Sequence, residues 1–126
     1  MYVDDTGRGK YTDKKLAKEL NLNLDQHGKL PDVIIFDADP EREWLLLFEA
    51  VSSHGPINET RLRQLSNLFS DHLNKLVFIT VFQTIDDFKK YANELAFDTE
   101  VWIAELPLHM IHYNGDRFFG PREINA

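Results

Sequence analysis

Cysteine is absent from the 126 residues, so disulfide bonds and metal sites built on thiolates are excluded. No apolar run approaches the roughly 20 residues of a membrane-spanning helix, and the N-terminus lacks the basic, apolar and small-residue order of a signal peptide. Glycine is also scarce, and Gly7-Arg8-Gly9 lacks the Lys-Ser/Thr ending of a phosphate-binding loop. We therefore expect a soluble protein with no membrane partner, compatible with the reducing cytoplasm.

An excess of basic residues is also missing, since 14 basic and 21 acidic residues give a formal net charge of −7. This balance excludes a protein that coats nucleic acid by bulk attraction, but it allows an enzyme that acts on nucleic acid. One local basic cluster could contact phosphate, or it could form a solvated helix face. Its members are Arg8, Lys10, Lys14, Lys15 and Lys18.

The length and the 43% hydrophobic content are enough for one compact domain over residues 1–126. Apolar periodicity and capping residues predict a strand, helix, two-strand hairpin, helix, strand, helix and strand. This order predicts an α/β fold, a mixed β-sheet with a central antiparallel hairpin flanked by helices. The predicted strands cover residues 2–3, 33–36, 44–48, 76–82 and 100–105, with a further hairpin around 114–115, and the predicted helices cover 13–20, 59–69 and 85–95.

The central hairpin carries the main functional signal. If it is symmetric about the Pro40/Glu41 bond, opposed residues have numbers that sum to 81, and Asp32 faces Glu49. Opposed residues hold their Cβ atoms roughly 4.5–5.5 Å apart, so the two carboxylates could share one divalent cation. Both faces of the hairpin are largely apolar, which predicts a central hairpin covered on both sides. The alternative is that the two acids only mark where burial ends.

A polar segment with glycine and proline follows the second strand of this hairpin. It runs Ser52-Ser53-His54-Gly55-Pro56 and leads to a helix that Asn58 can cap. Strand-to-helix exits of an α/β sheet are favoured sites for ligands and chemistry. Other acids and histidines are predicted to be structural, because Asp37 and Asp39 lie in the turn and His109 and His112 fall on opposite faces of one strand.

Several motifs together resemble a known enzyme family. Pro31-Asp32 followed by Glu49 on the next strand is the layout of the PD-(D/E)xK nuclease core. The segments LPDVIIFD, FEAVSSHGPI, EVWIAE and HYNGDRFFGPR resemble the C-terminal catalytic domain of the PstI/BsuBI type II restriction endonucleases. The resemblance extends over nearly the whole chain, and its most specific parts are EAV-x-SHGP and NGDRFFGP.

This resemblance implies Mg²⁺-dependent cleavage of DNA phosphodiester bonds at a short palindromic duplex site by a symmetric homodimer. It also implies that Asp32 and Glu49 are the metal carboxylates and that the backbone carbonyl of Ala50 is a third ligand. Such oxygen ligands suit a hard cation. Members of the family carry an N-terminal helical region before this domain. Without that region, we expect the present chain to be either an excised catalytic domain or a short natural relative with little sequence specificity.

One position departs from the general superfamily pattern, which has lysine two residues after the glutamate. The position is Val51 here, so another cation is expected to replace the lysine. The candidates are His54, Arg61 and, more distantly, Lys10. We favour His54, which could orient a water molecule or contact a phosphate, although it could also be a turn histidine packed beside Pro56.

Two other functions are compatible with the sequence. The absent lysine and the acidic charge allow a catalytically silent nuclease fold that serves as a DNA-docking or dimerisation module. A flavodoxin-like receiver or nucleotide-binding domain is a further alternative. It requires a largely parallel sheet, so antiparallel pairing of residues 33–36 with 45–48 would exclude it.

Overall fold

The computed structural model describes residues 2–5, 9–12, 30–51, 55–113 and 121. These residues contain a seven-stranded sheet in the order β2-β1-β3-β4-β5-β6-β7. The strands are β1 (Tyr2–Asp5), β2 (Gly9–Thr12), β3 (Val33–Phe36), β4 (Leu45–Ala50), β5 (Leu76–Phe82), β6 (Glu100–Ile103) and β7 (Met110–His112). The helices are α1 (Glu59–Leu68) and α2 (Ile85–Tyr91), with 3₁₀ segments at Ser70–Lys75 and Ala92–Glu94.

The predicted hairpin lies in the middle of this sheet with the predicted register. Strands β3 and β4 pair antiparallel from Val33 opposite Phe48 to Phe36 opposite Leu45, and every pair sums to 81. Strand β4 then pairs parallel with β5, and β5 pairs parallel with β6. The sheet is therefore mixed, and the antiparallel hairpin excludes the flavodoxin-like alternative.

Side-chain caps set the starts of both helices. The Asn58 side chain accepts a hydrogen bond from the Arg61 backbone at 2.8 Å, and the Thr84 hydroxyl accepts one from the Asp87 backbone at 3.1 Å. Each cap satisfies one of the amide groups that have no partner inside the helix. Helix α2 is shorter than predicted, because a 3₁₀ turn begins at Ala92 before the buried Leu95.

Both helices cover the same face of the sheet. Leu62 and Leu65 of α1 pack against the β3–β4 face that contains Leu47. Phe88 of α2 packs against a cluster that contains Phe82 of β5. Right-handed connections between parallel strands place both helices on this side.

The opposite face of the hairpin is less buried, which corrects the prediction of a hairpin covered on both sides. On the helix face, Leu45 and Leu47 are fully buried. On the other face, Leu46 and Phe48 are partly buried and Ile35 is 43% exposed. The apolar alternation correctly predicted the central position, but it could not show which face the two helices cover.

The sequence reasoning missed strand β2, which pairs antiparallel with β1. Strand β6 ends at Ile103, earlier than predicted, and β7 pairs antiparallel with β6. The predicted helix over 13–20 and the predicted turn at 114–115 lie outside the described residues. Within the described part of the chain, no helix is long and apolar enough to cross a membrane.

Candidate active site

The entry to β3 brings the Asp32 carboxylate to the end of β4. The Asp32 backbone N–H donates to the Phe48 carbonyl at 3.0 Å, and the Ala50 N–H donates to Asp32 Oδ2 at 2.8 Å. The residue numbers of the backbone pair sum to 80 rather than 81, so the ladder shifts by one residue at this point. At the edge of the regular ladder, the Asp32 side chain therefore accepts the hydrogen bond from Ala50 in place of a backbone carbonyl.

Glu49 precedes Ala50 on β4 and directs its carboxylate to Arg61 of α1. Arg61 Nε lies 3.0 Å from Oε1 and 2.8 Å from Oε2, and Nη2 also donates to Oε1. The two side chains are only 18% and 16% exposed. This is a forked, shielded ion pair, a geometry that favours arginine over lysine.

Arg61 has further contacts that fix its orientation. Its Nη2 lies 3.3 Å from the Leu30 carbonyl, two residues before Asp32. Its Nη1 lies 3.5 Å from the Gln64 side-chain oxygen, at the limit of a hydrogen bond. The guanidinium thus connects the start of α1, the metal-candidate glutamate and the chain that leads into β3.

A buried threonine fixes the chain between β4 and α1, and the sequence reasoning did not identify it. The Ile57 N–H donates to Thr80 Oγ1 at 3.1 Å, and the Ile57 carbonyl accepts from Ala96 at 2.9 Å. Thr80 is fully buried and lies opposite Glu49 in the β4–β5 register. The available signal was a single hydroxyl in an otherwise apolar strand, Leu76–Phe82.

The position of the superfamily lysine is occupied by an apolar contact. Val51 packs against the cluster that contains Phe82, Leu95 and Ile103, and its N–H donates to the Val81 carbonyl. A lysine there would need to leave this apolar cluster to reach Glu49. Arg61, by contrast, reaches Glu49 from the helix.

The structure thus brings four of the six candidate site residues together. Asp32, Glu49, Ala50 and Arg61 meet at one end of the hairpin through the bonds given above. His54 lies outside the described residues. Lys10 belongs to β2, where the structure describes the backbone only.

The donor chemistry at this end of the hairpin fits a hard divalent cation. Two carboxylates and the adjacent Ala50 carbonyl are oxygen ligands of the kind that Mg²⁺ accepts, with water completing its shell. No group of three or more histidine or acidic side chains suited to a metal occurs within the described ranges. An ion at this position would therefore depend on two side chains, one backbone group and water.

A shallow groove of about 460 Å³ adjoins Asp32 and Ala50 on the sheet face opposite α1. Its lining is mainly apolar and includes Phe48, Val81, Trp102 and Met110. The Trp102 indole donates to the Pro107 carbonyl at 3.1 Å, so its ring is held at the groove edge.

The turn end of the same hairpin has a different arrangement. Arg42 Nε donates to Asp37 at 2.7 Å, and Arg42 Nη2 lies 3.2 Å from Asp39. The hydrogen bond from Arg42 and then the one from the Asp39 backbone lower the pKa of the Asp37 carboxyl below its usual value. Arg42 is exposed and all of these contacts are local to the turn, in agreement with the predicted role of the two acids there.

A mixed sheet whose central hairpin presents paired acids beside a helix is the arrangement of the restriction-endonuclease fold. The solved structure of the SdaI restriction endonuclease matches with a TM-score of 0.79 and 42% sequence identity, covering 98% of this chain and 39% of that one. The chain therefore has a restriction-endonuclease fold.

The particular family follows from the sequence match. A family model described as the BsuBI/PstI restriction endonuclease domain matches residues 1–116, so the chain belongs to that family. The type II restriction enzyme BsuBI of Bacillus subtilis is 43% identical over 124 residues, which are 98% of this chain and 39% of BsuBI. The type II restriction enzyme AplI of Arthrospira platensis is 33% identical over 94% of this chain and 38% of AplI. The chain spans about two-fifths of the length of these curated relatives.

Proposed function

We propose that this chain is the catalytic domain of a type II restriction endonuclease that hydrolyses DNA phosphodiester bonds with Mg²⁺. The observation that carries the proposal is that the Asp32 carboxylate lies against the end of β4, beside the residue that follows Glu49. Asp32 accepts from the Ala50 N–H at 2.8 Å, and Glu49 is the preceding residue. Membership of a restriction endonuclease family supports the interpretation of these two acids as metal ligands.

Asp32, Glu49 and the Ala50 carbonyl would hold the ion. When bound, Mg²⁺ supplies activation of an attacking water and stabilisation of charge on the leaving oxygen. The chain's own part is to fix these oxygens. Glu49 and Ala50 lie on β4, which is hydrogen-bonded on both sides by β3 and by β5, and the Ala50 N–H holds the Asp32 carboxylate. Catalytic groups held on regular strands are positioned more accurately than groups on loops.

Arg61 and His54 are the proposed cationic and hydrogen-bonding groups beside the acids. Arg61 is fixed next to Glu49 and carries the planar donors that suit a phosphate. His54 follows Glu49 by five positions in the sequence, in the segment before α1. We propose that it orients water or contacts phosphate.

The proposed substrate is double-stranded DNA with a short palindromic site, cut by a homodimer. A symmetric dimer presents one active site to each strand of a palindrome. The net charge of −7 predicts weak, salt-sensitive binding of DNA by this chain alone, because nucleic-acid affinity depends on phosphate neutralisation. We propose that it acts in the cytoplasm, in contact with DNA.

The test is nicking and linearisation of supercoiled plasmid in Mg²⁺ by equal amounts of wild type, Asp32→Ala and Glu49→Ala. Asp37→Ala is the matched control, since it removes an acid from the turn end of the same hairpin. We expect cleavage by wild type and Asp37→Ala, and none by the two site variants. Cleavage that survives both site substitutions would exclude these residues as the active site.

A catalytically silent DNA-docking or dimerisation module is the second candidate. The observation in its favour is Val51, which packs in an apolar cluster at the position of the superfamily lysine. Calorimetric titration with Mg²⁺ or Mn²⁺ separates the two functions. A silent module without an ion site gives no heat that depends on Asp32 and Glu49, whereas the nuclease does.

A further inference from the structure

We propose that Arg61 closes the ion site when no ion is bound and competes with the divalent cation for the Glu49 carboxylate. On entry of the cation, the guanidinium is released from Glu49 and becomes available to a DNA phosphate. We call the Arg61–Glu49 pair the latch. This inference rests on the proposed function, because it requires that Glu49 bind an ion.

The first support is that the latch occupies both oxygens of Glu49. Arg61 Nε lies 2.8 Å from Oε2 and 3.0 Å from Oε1, and Nη2 donates to Oε1. A carboxylate offers about four lone-pair positions on two oxygens. The side-on fork therefore leaves no oxygen of Glu49 without a cationic donor.

The second support is that Asp32 and Glu49 have different partners in the structure. Asp32 Oδ2 accepts from the Ala50 N–H at 2.8 Å, whereas Glu49 accepts from α1. Because Arg61 donates to both oxygens of Glu49, a shared ion would have to displace the guanidinium or share these oxygens with it. A cation within coordination distance of Glu49 would also lie about 5 Å from the guanidinium, where like charges repel.

The third support is that Arg61 has contacts other than Glu49, which it would keep after release from that carboxylate. Its backbone is capped by Asn58, and its Nη2 lies 3.3 Å from the Leu30 carbonyl. The side chain would therefore remain at the site after its release. A planar guanidinium with unsatisfied donors is well suited to bind phosphate.

A different role for the same contact makes the opposite prediction. If Arg61 only held Glu49 in the orientation that the ion needs, loss of Arg61 would weaken ion binding. If the latch competes with the ion, loss of Arg61 strengthens ion binding. The sign of the change in metal affinity therefore decides between competition and preorganisation.

The experiment is calorimetric titration of Ca²⁺ and Mn²⁺ into the wild-type chain, Arg61→Gln, Arg61→Lys and Arg63→Gln. Arg63 is the matched control, because it lies on α1 two residues later and its exposed side chain contacts only the Glu59 carbonyl among the contacts described. We expect Arg61→Gln to bind the ion about tenfold more tightly. Arg61→Lys should lie between it and the wild type, and Arg63→Gln should match the wild type.

A second readout follows Arg61 directly in the wild-type chain. Its Nε–H resonance in an NMR spectrum should move on saturation with Ca²⁺, and it should not move in Asp32→Asn, which lacks an ion-binding carboxylate. This readout carries the test if Arg61→Gln fails to fold. Circular dichroism and urea unfolding establish which variants are folded.

Unchanged or weaker ion binding by folded Arg61→Gln would overturn the latch, as would an Arg61 resonance that stays fixed at saturation. In both cases, ion binding that depends on Asp32 would leave the proposed function standing. Absence of any Asp32-dependent binding, in the wild type and in Arg61→Gln alike, would instead overturn the latch and the proposed ion site together.

Discussion

The two ends of the β3–β4 hairpin have the same kinds of residue and different physical situations. The open end contains Asp32, Glu49 and Arg61, and the turn end contains Asp37, Asp39 and Arg42. Each end thus has two carboxylates and one guanidinium. Residue types alone do not distinguish a candidate active site from a stabilised turn.

Sequence separation and burial do distinguish them. Arg42 is five residues from Asp37 and is 47% exposed, so this pair forms within the turn itself. Arg61 is 12 residues from Glu49 and 18% exposed, so that pair forms only when α1 packs on the sheet. Exposed pairs are screened by water, whereas shielded pairs retain more of their attraction. The open end is therefore the place where the fold shields an ion pair from water.

The largest expected difference between the two ends is in DNA cleavage. Glu49→Gln should lower the cleavage rate by at least about 10³-fold, since loss of a ligand removes several kcal/mol of stabilisation from the ion. Asp37→Asn should cleave at the wild-type rate. Plasmid cleavage time courses at matched concentration give both rates, and equal rates for the two variants would remove the functional distinction between the ends.

The next largest effect is expected in the free energy of unfolding, through the hydrogen bond between Thr80 and Ile57 that holds the chain before α1. Thr80→Val leaves the Ile57 N–H buried without its acceptor, which should cost about 1–3 kcal/mol of unfolding free energy. Thr80→Ser keeps the hydroxyl and should recover most of that loss. Urea unfolding of the three proteins measures it, and a Thr80→Val variant as stable as the wild type would show that this hydrogen bond does not fix the chain before α1.

A smaller effect is expected from the ion pairs themselves. A double-mutant cycle with Glu49→Ala and Arg61→Ala should give a coupling of about 1–2 kcal/mol, since the pair is charge-assisted and shielded. The equivalent cycle with Asp37→Ala and Arg42→Ala should give a smaller coupling, since that pair is more exposed. Unfolding in urea measures both cycles, and equal couplings would contradict the contrast in burial.

The smallest effect is a pH dependence at the turn end. Arg42 lowers the pKa of Asp37 below the reference value of 3.8, so Arg42→Ala should raise it. Because the folded pKa is the lower one, the stability that Asp37 contributes is present above the unfolded pKa and is lost as pH falls through the folded pKa. Carbon NMR titration of Asp37 below pH 5 tests this, and an unchanged pKa in Arg42→Ala would contradict it.

Much of the hairpin could be predicted from sequence because a strand has a period of two residues and the turn is nearly symmetric. The register, the Asn58 cap and strand Leu76–Phe82 follow from such local rules. The one-residue shift at Asp32 could not be predicted, since it depends on a side chain that replaces a backbone acceptor.

The Arg61–Glu49 pair could not be predicted from the sequence, because it depends on how α1 packs on the sheet. The sequence identified Arg61 as a candidate cation, and it falls near the start of the helix predicted over 59–69. The direction of its side chain depends on how Leu62 and Leu65 rotate α1 against the sheet. Likewise, the exposure of Ile35 depends on both helices crossing one face.

The central claim is that Asp32 and Glu49 jointly hold one divalent cation at the end of β4. Anomalous scattering from crystals soaked in Mn²⁺ tests it most directly. We predict one strong peak within about 2.5 Å of a carboxylate oxygen of each residue. Its absence there, or a peak only between Asp37 and Asp39 at the turn end, would contradict the claim.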